Sequence, residues 1–143
     1  MTTPALAPFA PPTPRRSGLH TALLWITRLV MLPQAIAFVL QPISIGSFLQ
    51  GTWAALDVHL VTGGILVIVT WVTGVCGLAL GVVGRHWWLV ATSLALGFLT
   101  TAQVALGSTR VLVLHVPLGV ALVALALWLA VWPWTRAAKG APR

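Results

Sequence analysis

Of the 143 residues, 59% are apolar and only 6% charged, against about a quarter charged in a soluble globular chain, so the composition is that of a protein solvated by lipid. Asp57 is the sole acidic residue, which excludes the paired carboxylates of glycosidases and aspartic proteases and the membrane carboxylate of proton-coupled pumps. The net charge of +7 comes from basic residues at the ends of apolar runs, with no basic stripe interleaved with aromatics; it reads as a topology signal, and nucleic acid is not an expected partner.

Residues 1–18 hold five of the ten prolines together with Arg15 and Arg16, a composition that cannot bury apolar surface, and they are expected to form a disordered cytoplasmic tail. An arginine pair ahead of an apolar segment also resembles an export signal, but the apolar part is long and three more spans follow it, which favours a retained first span. That span falls between Leu19 and Phe48. Arg28 interrupts it, and because a guanidinium at mid-bilayer costs about 3 kcal/mol, Arg28 is expected near the cytoplasmic boundary. Pro33 is a candidate kink, and Gln41-Pro42 marks the expected outer end. The less periodic stretch from Ile43 to Leu56, with Gly46, Gly51 and Trp53, suits an outer re-entrant or interfacial connection.

A second span is expected from about Ala55 to Val83, with His59 near its start and Gly63, Gly64, Gly74, Gly77 and Gly81 marking close helix packing. Its central Cys76 is the only cysteine, so no internal disulfide and no Cys-x-x-Cys motif exists. Gly84-Arg85-His86-Trp87-Trp88 reads as a short cytoplasmic turn with an aromatic belt. The third span is expected from about Trp87 to Leu106, Ser108-Thr109-Arg110 as a tight outer turn, and the fourth span from about Val111 to Trp132, with His115 near its start. Trp128, Trp132 and Trp134 form an interfacial belt before the basic cytoplasmic tail at 136–143.

The fold class is therefore all-α, an integral membrane up-down four-helix transmembrane bundle over residues 19–135. Four spans put both termini on one side. Arg15, Arg16, Arg85, Arg136, Lys139 and Arg143 fall on that side and Arg110 on the other, so the positive-inside bias predicts a multi-pass cell-membrane protein with cytoplasmic termini. His59 and His115 then lie at similar depth near the outer ends of alternate helices. Each is followed four residues later by glycine, Gly63 and Gly119, a spacing that shares one helix face. A flat ligand fits such a patch, and two facing imidazoles are the axial ligands a haem requires. Arg110, one turn outward from His115, is a candidate partner for a propionate, with an interfacial anchor or a partner for Asp57 as the alternatives. Pro117 frees the carbonyl of Val113, a candidate acceptor for a ring nitrogen or a neighbouring helix. Gln34, Gln41 and Gln103 are candidate inter-helix hydrogen-bonding residues. A Gln near the end of one span and His-x-x-x-Gly opening the next occur in both halves, the mark of a weak internal repeat with a pseudo-two-fold axis along the membrane normal.

The pattern Gln103-x-x-x-Gly107, then Leu114-His115-Val116-Pro117-Leu118-Gly119, with Asp57-Val58-His59 opening the second span, resembles small four-helix bacterial membrane proteins. More distantly, the unit from about residue 19 to 134 is similar to one four-helix half of haem A synthase and to the plan of b-type membrane cytochromes. That resemblance implies that His59 and His115 are axial haem ligands. The chain departs from haem A synthase in being a single four-span unit and in having no glutamate near His59, so the resemblance implies haem binding or electron transfer and not haem-modifying oxidation. Two strong axial ligands leave no open iron position, which again favours electron transfer over oxygen chemistry.

The functional expectation is thus a bis-histidine, b-type haem-binding membrane protein with His59 and His115 as metal ligands and Gly63, Gly119 and Arg110 at the cofactor. Its expected partners are the lipid bilayer and a quinol or redox partner protein, as a homo-oligomer or a subunit of a larger complex. The alternative from another class is a non-catalytic membrane subunit or assembly factor without cofactor, whose polar residues serve helix packing.

Overall fold

The computed structural model describes residues 18–139, so the proline-rich segment at 1–17 and the last four residues of the basic tail lie outside it. Helix α1 spans Gly18–Leu49, α2 Ala54–Gly84, α3 Trp87–Ser108 and α4 Leu112–Val131, and α4 runs on into a 3-10 turn at Trp132–Trp134. No strand occurs among the described residues. All four helices are long and apolar enough to cross a membrane. At about 1.5 Å per residue, α3 and α4 match a hydrocarbon core of about 30 Å, and α1 and α2 exceed it by several turns.

The turns between helices are two to four residues long, so successive helices run antiparallel. Each helix packs on its two sequence neighbours, α4 closes against α1, and the diagonal pairs do not approach. Helices α2 and α4 therefore face each other across the bundle. The end carrying His59 and His115 is called here the histidine end, and the opposite one the Arg28 end.

Helix α1 corrects one expectation. It does not stop at Gln41-Pro42 but passes through both Pro33 and Pro42 to Leu49, and no re-entrant segment follows. Proline removes an N–H and crowds the preceding turn, a combination that breaks helices in water; in lipid an unwound backbone has nothing else to bond to, so the helix continues through both prolines. Ser44 Oγ donates to the Gln41 carbonyl at 2.8 Å and Ser47 Oγ to that of Ile43 at 3.0 Å. The helix ends where Gly51 takes a φ of 98°, with Gln50 N and Thr52 N bonding back to Gly46 O and Ser47 O.

Small residues set the α2/α3 seam, as the glycine run predicts. A Cβ on Gly77 would overlap Ser93, one on Gly81 would lie 2.5 Å from Val90 Cγ2, and one on Gly74 would press on Leu94. Close approach replaces the hydrophobic drive that is missing between helices in lipid. Buried polar groups then lock the register: Thr73 Oγ1 donates to Gln34 Oε1 between α2 and α1. At the far end, Arg28 is only 7% exposed, with Nε and a terminal guanidinium nitrogen donating to the Pro133 carbonyl at 3.1 and 2.8 Å. The aromatic belt there is layered, Trp88 lying 4.9 Å from both Trp128 and Trp132.

The buried core is lopsided. Its apolar members, among them Leu24, Met31, Phe38, Leu66, Leu80, Leu89, Leu96, Leu122 and Leu129, fill the bundle from the Arg28 end to just past its middle. From residue 39 onward in α1, before 66 in α2, after 100 in α3 and before 122 in α4, Ser44 is the only helical residue that is buried. Placing valine at Gly77 forces the α2/α3 seam apart and should cost about 1–3 kcal/mol, while alanine at Gly46, which meets nothing within 4 Å, should be neutral. Thermal unfolding of the two variants in one detergent checks this contrast.

Candidate functional site

In the weakly filled half, the imidazoles of His59 on α2 and His115 on α4 face one another with ring centroids 6.4 Å apart and planes inclined at 63°. Both rings are half-buried. Each is held by a backbone carbonyl of the preceding helix: His59 Nδ1 lies 3.2 Å from Gln41 O, and His115 Nδ1 lies 2.9 Å from Gln103 O. A carbonyl only accepts, so each Nδ1 donates to it, and Nε2 is the nitrogen left to ligate in the neutral tautomer. Ser44 Oγ, which donates to the same Gln41 carbonyl, stands 3.3 Å from His59 Nδ1. The carbonyl that orients His115 is thus that of Gln103 on α3 and not the Val113 carbonyl freed by Pro117.

The predicted glutamines all bond between helices. Gln34 takes Thr73, Gln41 Nε2 donates to Thr62 Oγ1 at 2.6 Å, and Gln103 Nε2 donates to His115 O at 2.8 Å. Gln103 and His115 therefore bond reciprocally, side chain to backbone in both directions. The same frame recurs in the first hairpin, where Gln41 offers its carbonyl to His59 and its amide to α2. This geometry supplies the physical content of the weak sequence repeat.

Gly63 and Gly119 sit beside these glutamines. A Cβ on Gly63 would lie 3.7 Å from Gln41 Oε1, and one on Gly119 would lie 2.8 Å from Gln103 Nε2. The glycine in contact with an imidazole is Gly107 on α3, where an added Cβ would come within 2.8 Å of His115 Cε1 and 3.0 Å of its Nδ1. Its signal in the sequence is the i, i+4 spacing from Gln103, which puts the carbonyl that orients the ring and the flat patch beneath it on one face of α3. Arg110 is exposed in the turn after α3, with a left-handed φ of 59°. Asp57 is exposed in the first turn of α2, where its charge complements the helix dipole.

The second pair of histidines lies at the Arg28 end. Gly84 is flanked by both His20 and His86, and the His86 ring meets Trp132 edge-on at 5.0 Å. Burial lowers the His86 pKa from its ordinary 6.5, which keeps that ring neutral at neutral pH.

The donor set at the histidine end limits what it can hold. Among the described residues no group of three His, Cys, Asp or Glu could hold a metal ion, and a bare divalent cation wants four donors or more. A metal whose equatorial positions are filled by its own macrocycle wants two, on opposite sides. With metal–imidazole bonds of about 2.0 Å and ring nitrogens about 1.1 Å from their centroids, two imidazoles whose Nε2 atoms point at one metal stand about 6 Å apart, against a centroid separation of 6.4 Å here. Around the pair, Ser44 is the only buried helical side chain, so the rings lie among partly exposed neighbours.

No known protein family, curated protein or solved structure matches the chain. Imidazole 15N shifts at neutral pH should report Nδ1-protonated rings for both His59 and His115. Gly107→Ala should shift the His115 signals and Gly63→Ala should leave both rings unchanged; the same NMR experiment reads all three outcomes.

Proposed function

We propose that the protein is a membrane cytochrome of the b type, with His59 and His115 as the axial ligands of one haem and electron transfer as its task. The observation that carries this reading is the 6.4 Å separation of two imidazoles whose Nδ1 atoms are both tied to carbonyls. Such second bonds fix the tautomer that ligates through Nε2, hold ring orientation and raise ligand basicity. When bound, haem supplies a one-electron couple.

The chain's own residues do the rest. The carbonyls of Gln41 and Gln103 hold the two rings in place, and would keep that orientation for a group held between them. Gly107 lets the His115 ring lie against α3, and Gly63 and Gly119 leave space for the glutamine side chains at the rim of the site. Arg110, a few residues from His115 in the turn, is the cation available to a propionate. In the proposed orientation Arg28, Arg85, Arg136 and Lys139 lie at the cytoplasmic side of the cell membrane and Arg110 at the other, which puts the histidine pair near the outer surface. A quinol in the bilayer or a partner cytochrome is the matching electron donor, and an extracytoplasmic protein the acceptor.

Protein purified from haem-replete cells should show a Soret band and a sharp α band on reduction, at about one haem per chain. Both His59→Ala and His115→Ala should lose it, Gly107→Ala should lower occupancy several-fold, and Gly63→Ala should retain it. A folded but colourless wild-type preparation would overturn the reading.

A further inference from the structure

Among the described residues, Arg28 is a buried cation without a counter-ion. Its only hydrogen-bond acceptor among the described residues is the neutral Pro133 carbonyl, and its guanidinium carbon sits in the corner between two perpendicular indoles, 4.6 Å from Trp25 and 4.5 Å from Trp134. The single acid of the chain cannot neutralise it. Gln34 is level with Thr73, so Arg28 is level with about residue 79 of α2, and Asp57 lies about 30 Å away at the other end of the bundle. A charge drawn this far out of water calls for an anion close by.

The same corner opens onto an apolar groove. Leu32, Ile36 and Leu40 from α1, Leu127 and Val131 from α4 and Trp134 from the 3-10 turn line a cleft of about 480 Å³ along the α1/α4 seam. Trp134 belongs to both places: one contact is with Arg28 and another is with the groove. From Leu32 to Leu40 the cleft follows α1 for about 12 Å, parallel to the helices and hence to the acyl chains of a bilayer. Arg136 and Lys139 are exposed just beyond its mouth and extend the positive field.

We propose that the α1/α4 seam binds one anionic phospholipid, with its phosphate at Arg28 and an acyl chain in the groove. The charge selects an anionic headgroup, and the elongated apolar wall selects a lipid over free phosphate. Indoles at the level of the headgroup suit the amphipathic boundary that such a lipid spans.

The test uses the full chain, delipidated in detergent and titrated with phosphatidylglycerol or phosphatidylcholine of identical acyl chains, with bound lipid read by native mass spectrometry. Phosphatidylglycerol should bind one per chain and at least about fivefold more tightly than phosphatidylcholine. Arg28→Gln should abolish that preference, and Ile36→Trp, at an exposed position on the groove wall, should weaken both lipids. Excess inorganic phosphate should not displace the bound lipid. Should Arg28→Gln fail to fold, Ile36→Trp and the headgroup comparison still decide. Equal binding of the two lipids, or unchanged binding in Ile36→Trp, would overturn the proposal, as would a lipid-free dimer that Ile36→Trp disrupts, which would assign the groove to a second copy of the chain.

Discussion

Lipid offers no hydrogen bonds, and that one constraint orders the interior of this bundle. A polar group on any of the four helices has to be met by another part of the protein or carry a cost of several kcal/mol. The result is a ladder of inter-helix bonds along the molecule: Arg28 to Pro133, Gln34 to Thr73, Gln41 to Thr62 and His59, and Gln103 to His115 in both directions. Apolar side chains in lipid slide past one another at little cost; these bonds do not. They set the depth of each helix against its neighbour, and the level of the two imidazoles is one consequence.

The two hairpins use one device twice. In each, a glutamine near the end of the first helix turns its carbonyl to the histidine of the second and its side-chain amide to the same helix, beside a glycine that leaves space for it. The connections differ by six residues between Gln and His: three lie in the extension of α1 to Leu49, one in the turn and two at the start of α2. A longer first hairpin and a shorter second one thus deliver their rings to a common level. Symmetry of this kind creates a site on the diagonal, since α2 and α4 face each other across the axis and share no backbone contact.

The spans were legible in the sequence because apolar runs of this length have only one environment, and the matched depth of His59 and His115 followed from helix rise alone. The outer end of α1 was not, since the rule that proline terminates helices comes from water, and in lipid the helix continues through Pro42. Periodicity also gives the face a glycine occupies but not what lies against that face. Gly63 and Gly119 share faces with the histidines yet meet glutamines, whereas Gly107, on α3 between the two histidine-bearing helices, touches a ring. Arg28 lies at the end of the bundle that also carries Arg85, Arg136 and Lys139; its burial between two indoles depends on the 3-10 turn after α4, whose Trp132-Pro133-Trp134 folds back onto α1.

The uneven core ties stability to the proposed function. The Arg28 half is closed by leucines, alanines and stacked indoles, while in the other half the first turns of α4 bury nothing and are tied to α3 by the Gln103–His115 pair and the 109–111 turn. A half-bundle of that kind gains more from an occupant than a filled one does, because a planar apolar group between α2 and α4 would supply the missing contacts on both sides at once. Binding and folding of the histidine end are then linked: whatever lies between the rings also fixes the separation of the helices that hold them. The filled half is the base from which α2 and α4 carry their imidazoles, and the depth of the pair is set by bonds that no occupant has to make.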